Sequence, residues 1–400
     1  MDQRTFEKGS SIFNYGLIVM TLTHTLTHVF QRIHLALFPI IKQEFSLSLQ
    51  ELGLVAAIPY MVQVLLAIPT GMLSDRFGSK KLLIVSLITA AGGALLASQS
   101  NTPIILIVAV CLVYANTVIY HPASYSFTTR LFKIKDRPKA LGIHGAGGTF
   151  GMALGPISVS ILIGLFAFGW RQVYLFWLLP IFIGLILVLR IKSEPKEDFQ
   201  EPKKEPSTSE KQGLDKGSLV TMNLIIFLAF VSIRMLAGQM VETFFTVYMT
   251  EERKVDSVLS SLVYGGGTLT GLIAAPVGGV MASKMGDKKW VLISLALAYA
   301  SLGAATFVPN ILLFAVFYLI YGFCNTLAMA ANSSIVATLS PSRQRGLGYA
   351  IYFLPGEIMG VIAPVVASLI AVAFGLTSIF IASLAIFAVG LAVLRFGVKI

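Results

Sequence analysis

The chain has 400 residues, of which 56% are hydrophobic and only 12% charged, with a formal net charge of +11 and a mean hydropathy of +0.81. Soluble domains carry about 25% charged residues, so this composition excludes an ordinary soluble fold and points to a membrane protein. The two cysteines, Cys111 and Cys324, lie far apart in apolar runs, which leaves neither a disulfide framework nor a cysteine metal site.

A helix needs about 20 mostly apolar residues to cross a hydrocarbon core about 30 Å thick. Twelve stretches meet this, near 11–41, 51–73, 82–99, 103–132, 140–167 and 170–190, then 219–249, 258–283, 290–308, 310–338, 346–373 and 376–396. The polar opening MDQRTFEKGS precedes an apolar run too long for a signal-peptide core, so the first stretch reads as a retained spanning helix. Between the sixth and seventh lies KSEPKEDFQEPKKEPSTSEKQGLDKG, residues 192–217, with linker composition. The predicted plan is an all-α membrane protein: a six-helix bundle over 1–191, a linker over 192–217 and a second six-helix bundle over 218–400.

With a cytoplasmic N-terminus, 24 of the 30 Lys and Arg residues fall on the cytoplasmic side. Only Lys42, Arg171, Arg253 and Lys254 fall outside, and Arg32 and Arg234 lie within helices. The skew predicts a multi-pass protein of the cell inner membrane with both termini and the linker cytoplasmic. It also accounts for the net charge without a nucleic-acid partner, because basic loops lie beside anionic lipid headgroups.

The halves repeat. GMLSDRFGSKK, Gly71 to Lys81, returns as GVMASKMGDKK, Gly279 to Lys289, at an offset of 208 residues. The same offset carries Arg137 to Arg345, Gly148 to Gly356 and Pro156 to Pro364. Repeats of this kind mark secondary transporters, whose sites lie near the midplane between repeats.

The pattern of Gly71, Asp75, Arg76, Gly78, Lys80 and Lys81 closely resembles the loop signature of the major facilitator superfamily. The resemblance implies two pseudo-symmetric six-helix bundles and a charged conformational latch. The run with Gly147, Gly151, Gly155 and Pro156 resembles the superfamily's helix 5 motif, in which small residues let helices approach closely and proline bends the chain. PIIKQEFSLSLQELGL, YHPAS and GIHGAGGTFGMALGP are similar to the fosmidomycin-resistance branch, whose members are proton-driven exporters of a small phosphonate. His24 and the pair His121-Pro122 fall on matching positions. His28 stands where that branch tends to have an acid, and Ala123 where it tends to have Glu.

The first helix holds TLTHTLTH. At 100° per residue, Met20, Thr21, Thr27, His28, Gln31 and Arg32 fall within about 80° of His24, with Tyr15, Val19, Leu22, Leu26, Val29 and Ile33 opposite. The polar face predicts a wet cavity. Ionisable groups within membrane helices are costly and suggest function by default. Those in the first half are His24, His28, Arg32, His34, His121 and His144, with no acid inside a span; the second half adds Arg234, Glu242 and Glu357. The candidate cavity comprises His24, His28, Gln31, Arg32, His121, Arg234, Glu242, Asn325 and Glu357, with Asn332 seven residues beyond Asn325. The histidines are expected to respond to protons and to face Glu357, and Arg234 to hold an anionic solute or pair with Glu357.

The leading reading is a monomeric secondary transporter working by alternating access, an antiporter that couples protons to efflux of a small organic solute. It needs no cofactor, no resident metal and no nucleic acid, only solute, protons and the lipid bilayer. Alternatives are uptake of an organic anion, transition-metal transport through Met20, His24 and His28, and a non-transporting sensor. The chain holds no P-loop and no nucleophile–base pair, so an enzyme is not expected.

Overall fold

The computed structural model describes residues 12–133, 136–191, 221–340 and 345–399; for Asp75 and residues 345–350 it describes the backbone alone. The linker at 192–217 and the Asp75 side chain therefore lie outside the described residues.

The first six helices are α1 (Tyr15–Glu44), α2 (Leu49–Phe77), α3 (Ser79–Ser98), α4 (Pro103–Arg130), α5 (Arg137–Gly164) and α6 (Trp170–Leu189). The second six begin with α7 (Met222–Glu251) and α8, whose segments Ser257–Leu269 and Gly271–Met285 meet at Thr270. They continue with α9 (Asp287–Phe307) and α10, whose segments Ile311–Leu327 and Met329–Leu339 meet at Ala328. α11 (Arg345–Phe374) and α12 (Thr377–Ala392) complete the bundle, and Val393–Gly397 closes the last helix with a π-turn.

Eleven of these helices are long and apolar enough to cross a membrane by length and composition. The other is α1, which carries the histidine and arginine stripe. Local chemistry sets several starts. Asn14, Thr102, Thr221, Asp256 and Asn310 accept a backbone N–H at the N-caps of α1, α4, α7, α8 and α10. Ser48 and Glu51 form a reciprocal capping box that opens α2.

The two halves repeat in space. Helix α2 ends at Gly78, with φ of 83°, and α8 ends at Gly286, with φ of 86°. That left-handed backbone suits glycine, and it turns the chain sharply into the next helix. Lys80 Nζ donates to Leu189 O at 3.0 Å and Ile191 O at 2.6 Å, capping the C-terminus of α6. Its repeat partner Lys288 donates to Val398 O and does the same for the last helix. Each lysine satisfies carbonyls that a helix end leaves without a partner.

Within the halves, α1 packs on α5 as α7 packs on α11, and α3 on α4 as α9 on α10. Between them, α5 packs on α8 and α2 on α11, contacts that the same pseudo-twofold exchanges. The hydrogen bonds from Thr246 Oγ1 to Leu35 O (2.6 Å) and from Ser261 Oγ to Ala36 O (3.3 Å), and the ion pair of Lys42 with Glu251 (2.6 Å), lie toward the C-terminal end of α1. The apolar core shared by both halves runs through that end, with Ile33, Phe38, Val55, Phe245 and Ala363 among its members. At the opposite end the first half keeps its own core of Val19, Met20, Leu83, Tyr120, Phe127 and Val188. The halves are thus knitted together at the end where α1 finishes.

Candidate substrate cavity

A cavity of about 290 Å³ lies between the halves near mid-helix. Arg32 of α1 and Tyr60 of α2 reach it from the first half, and the rest of the lining comes from α7 to α10. Arg234, Gly238 and Glu242 present one face of α7 at four-residue spacing, and Tyr318, Tyr321 and Asn325 present one face of α10.

The electrostatics centre on two guanidinium groups. Arg32 pairs with Glu242 across the boundary between the halves, and its Nη1 also donates to Tyr264 Oη at 3.1 Å. Tyr264 Oη donates in turn to Glu242 Oε1 at 3.1 Å. Arg234 Nη2 donates to Asn325 Oδ1 at 3.1 Å, and no carboxylate among the described residues pairs with it. The cavity therefore carries one cation matched by an anion and one cation matched only by a neutral amide. Five phenols surround them, from Tyr60, Tyr264, Tyr299, Tyr318 and Tyr321. This combination suits a small anion: guanidinium groups bind carboxylate, phosphate or phosphonate oxygens through paired N–H donors, and the rings supply flat apolar walls.

Other sequence candidates fall elsewhere. Glu357 on α11 is absent from the cavity lining; it lies within electrostatic reach of Tyr60, and its Oε2 has no hydrogen-bond partner. It does not pair with Arg234. Asn332 is 1% exposed, with both side-chain polar atoms unpartnered; the break at Ala328 separates it from Asn325. Met20 belongs to the apolar core of the first half. His34 packs against Phe38 and Tyr114 and is 1% exposed.

His24, His28 and His121 do not line the cavity or turn toward Glu357; they turn toward one another. His24 Nε2 lies 3.1 Å from His28 Nε2 and 3.3 Å from His121 Nε2. His144 stacks on His24 with ring centroids 4.2 Å apart, and Gln31 contacts His28 Nδ1 at 2.9 Å. The polar stripe of α1 thus divides: its histidines enter a four-imidazole cluster inside the first half, and Arg32, one turn further on, enters the cavity.

The α1–α5 packing brings this cluster together. A methyl group added at Gly147 would sit 2.6 Å from Thr21 O, one at Gly155 2.7 Å from Val29 O, and one at Gly151 would collide with Thr25 O. Three glycines at four-residue spacing thus lie directly on the backbone of α1, and Thr25 Oγ1 donates to Gly147 O at 2.9 Å. Gly148 lies flat beneath the His24 ring, with room for no side chain. Of the loop-signature residues, Arg76 stacks its guanidinium over Phe77 at 5.4 Å and nothing crowds Gly71.

This helical architecture with a charged cavity between two repeated bundles defines a membrane transporter of the two-bundle type. The family model described as Major Facilitator Superfamily matches residues 20–271 and 227–399, and the chain belongs to that family. It is similar to the fosmidomycin resistance protein of Escherichia coli (strain K12), with 22% identity over 303 residues, 72% of each chain. It is also similar to the quinolone resistance protein NorB of Staphylococcus aureus (strain MRSA252), with 25% identity over 199 residues, 48% of this chain and 40% of that protein. The fold matches that of a bacterial homologue of the human lysosomal transporter Spinster in an inward-facing, occupied conformation, with a TM-score of 0.82, 17% identity and 97% of each chain covered.

Proposed function

We propose that the protein exports a small organic anion in exchange for protons, by alternating access of the cavity between its two bundles. The observation that carries this is Arg234, a cation inside a membrane helix with no carboxylate partner among the described residues and an amide for its neighbour. An intramembrane charge of this kind is costly unless an anion joins it. The resistance named in the two relatives supports the outward direction. The Arg32–Glu242 pair bridges the bundles, so protonating Glu242 weakens a contact that one conformation makes and the other loses. Glu357, with its unpartnered oxygen, is the second carboxylate available to carry a proton. The loop signature from Gly71 to Lys81 serves as the latch at the opposite end.

Fosmidomycin and simple phosphonates are the probes for the cavity. In a thermal-shift series on purified protein, the best of them should raise the melting temperature of the wild type. Arg234→Ala should bind it about tenfold to a hundredfold more weakly, the range for losing hydrogen bonds to a charged group. Equal affinity in Arg234→Ala would remove the anion from this reading.

Orientation follows the charge skew. The linker is proposed to be cytoplasmic, so a cysteine at Ser207 should react in intact cells only with a membrane-permeant maleimide. Labelling by an impermeant reagent would invert the topology and with it the direction of transport.

A further inference from the structure

We propose that His24, His28 and His121 form a binding site for a late first-row transition-metal ion, held by three imidazole Nε2 atoms with a fourth position open. The site lies wholly in the first bundle, on α1 and α4, so it stands independently of what the cavity binds.

The hydrogen bonds fix the ring nitrogens. His24 Nδ1 faces His144 O at 2.8 Å, and His121 Nδ1 faces Thr117 O at 2.8 Å. A backbone carbonyl only accepts, so both Nδ1 atoms carry the hydrogen and both Nε2 atoms present a lone pair. Those two lone pairs face each other at 3.3 Å. Two bare acceptors at that distance repel, so the arrangement calls for a cation between them. His28 joins on the same terms: its Nδ1 donates to Gln31 Oε1 at 2.9 Å, and its Nε2 lies 3.1 Å from that of His24.

Two of the three edges already have metal-site spacing. Tetrahedral ligation at about 2.0–2.1 Å places neighbouring imidazole nitrogens about 3.3 Å apart. The His24–His28 and His24–His121 edges are 3.1 and 3.3 Å, and the three ligand nitrogens lie within 4.8 Å of one another, so binding the ion draws His28 and His121 together. Each ligand also has the outer partner typical of metal-bound histidine, a carbonyl oxygen on its other nitrogen. His24 is further fixed by ring contacts with His144 at 4.2 Å and Tyr120 at 5.6 Å. A set of neutral nitrogens selects zinc, nickel, copper or cobalt over magnesium or calcium. The fourth position takes water, hydroxide or a solute oxygen, and an anion there offsets the charge of the ion.

Cobalt(II) and zinc(II) are the probes. Full-length protein stripped with EDTA and titrated with Co²⁺ should develop the intense visible band of a tetrahedral site at one equivalent, and Zn²⁺ should displace it. His28→Ala and His121→Ala should lose the band, while Gln31→Ala, which removes only an outer partner, should keep it at about tenfold to hundredfold weaker affinity. Circular dichroism of each metal-free variant separates lost binding from lost folding. Folded wild type that shows neither a cobalt band nor stabilisation by Zn²⁺ would overturn the proposal and assign the cluster to a shared proton.

Discussion

Glu242→Gln should abolish proton-driven accumulation while leaving the protein folded. In proteoliposomes with an imposed pH gradient, flux of the bound phosphonate should fall to its passive, equilibrating level. Exchange of solute for solute, which needs no net proton movement, should continue. The reason is local. Glu242 forms its ion pair with Arg32 and accepts from Tyr264, so one carboxylate of α7 ties the second bundle to α1 of the first. Glutamine keeps the shape and one acceptor, but it neither balances the guanidinium charge nor takes up a proton. Breaking a fully buried ion pair costs about 3–5 kcal/mol. Here the two side chains are 16% and 29% exposed, and solvent screening lowers the stability cost to about 1–3 kcal/mol. The variant should therefore purify as a folded species, so that its lost coupling can be read directly. Wild-type accumulation by Glu242→Gln would remove this carboxylate from the coupling.

Gly151→Leu should have the opposite phenotype, a protein that fails before it transports. The first added carbon would collide with Thr25 O, which belongs to the backbone of α1 and has no rotamer by which to move. Overpacking against movable side chains typically costs about 1–3 kcal/mol; displacing a helix from its neighbour should exceed that. The same shift would pull α1 from α5 along the whole line from Thr21 to Val29, and with it the bond from Thr25 to Gly147 O. Fluorescence-detected gel filtration should show aggregate in place of the monodisperse peak. Gly145→Ala, on the same helix with open space around it, should behave as wild type. A monodisperse, active Gly151→Leu protein would contradict the close approach of these two helices.

Much of the fold is written in the sequence because lipid leaves so few solutions. Backbone groups in hydrocarbon must bond internally, so each long apolar run becomes a helix. The 208-residue offset then relates the halves, as the paired turns at Gly78 and Gly286 and the paired caps at Lys80 and Lys288 illustrate. The site was less legible. The polar face of α1 places Arg32 in the cavity, but nothing in the sequence pairs it with Glu242, because that contact depends on how the two bundles pack against each other. The sequence alone singles out none of the cavity tyrosines, although Tyr318, Tyr321 and Asn325 share a helical face, a signal that was available. The imidazole cluster joins residues 97 and 120 positions apart in the chain. No spacing within one helix encodes that meeting, which depends on α4 and α5 both packing against α1.

Alternating access requires the bundles to part at the end where α1 finishes, and one pair of residues tests this. Gly164 ends α5 and Val258 begins α8, and a Cβ built on Gly164 lies 3.6 Å from the Cβ of Val258. Disulfides need Cβ atoms about 3.5–4.5 Å apart, so Gly164→Cys with Val258→Cys, in a background lacking Cys111 and Cys324, should crosslink the bundles on oxidation. Transport of the phosphonate probe in proteoliposomes should fall to background in the crosslinked protein and return when the bond is reduced, with each single variant active throughout. Undiminished transport by fully crosslinked protein would show that this end never opens, and would contradict alternating access between the two bundles.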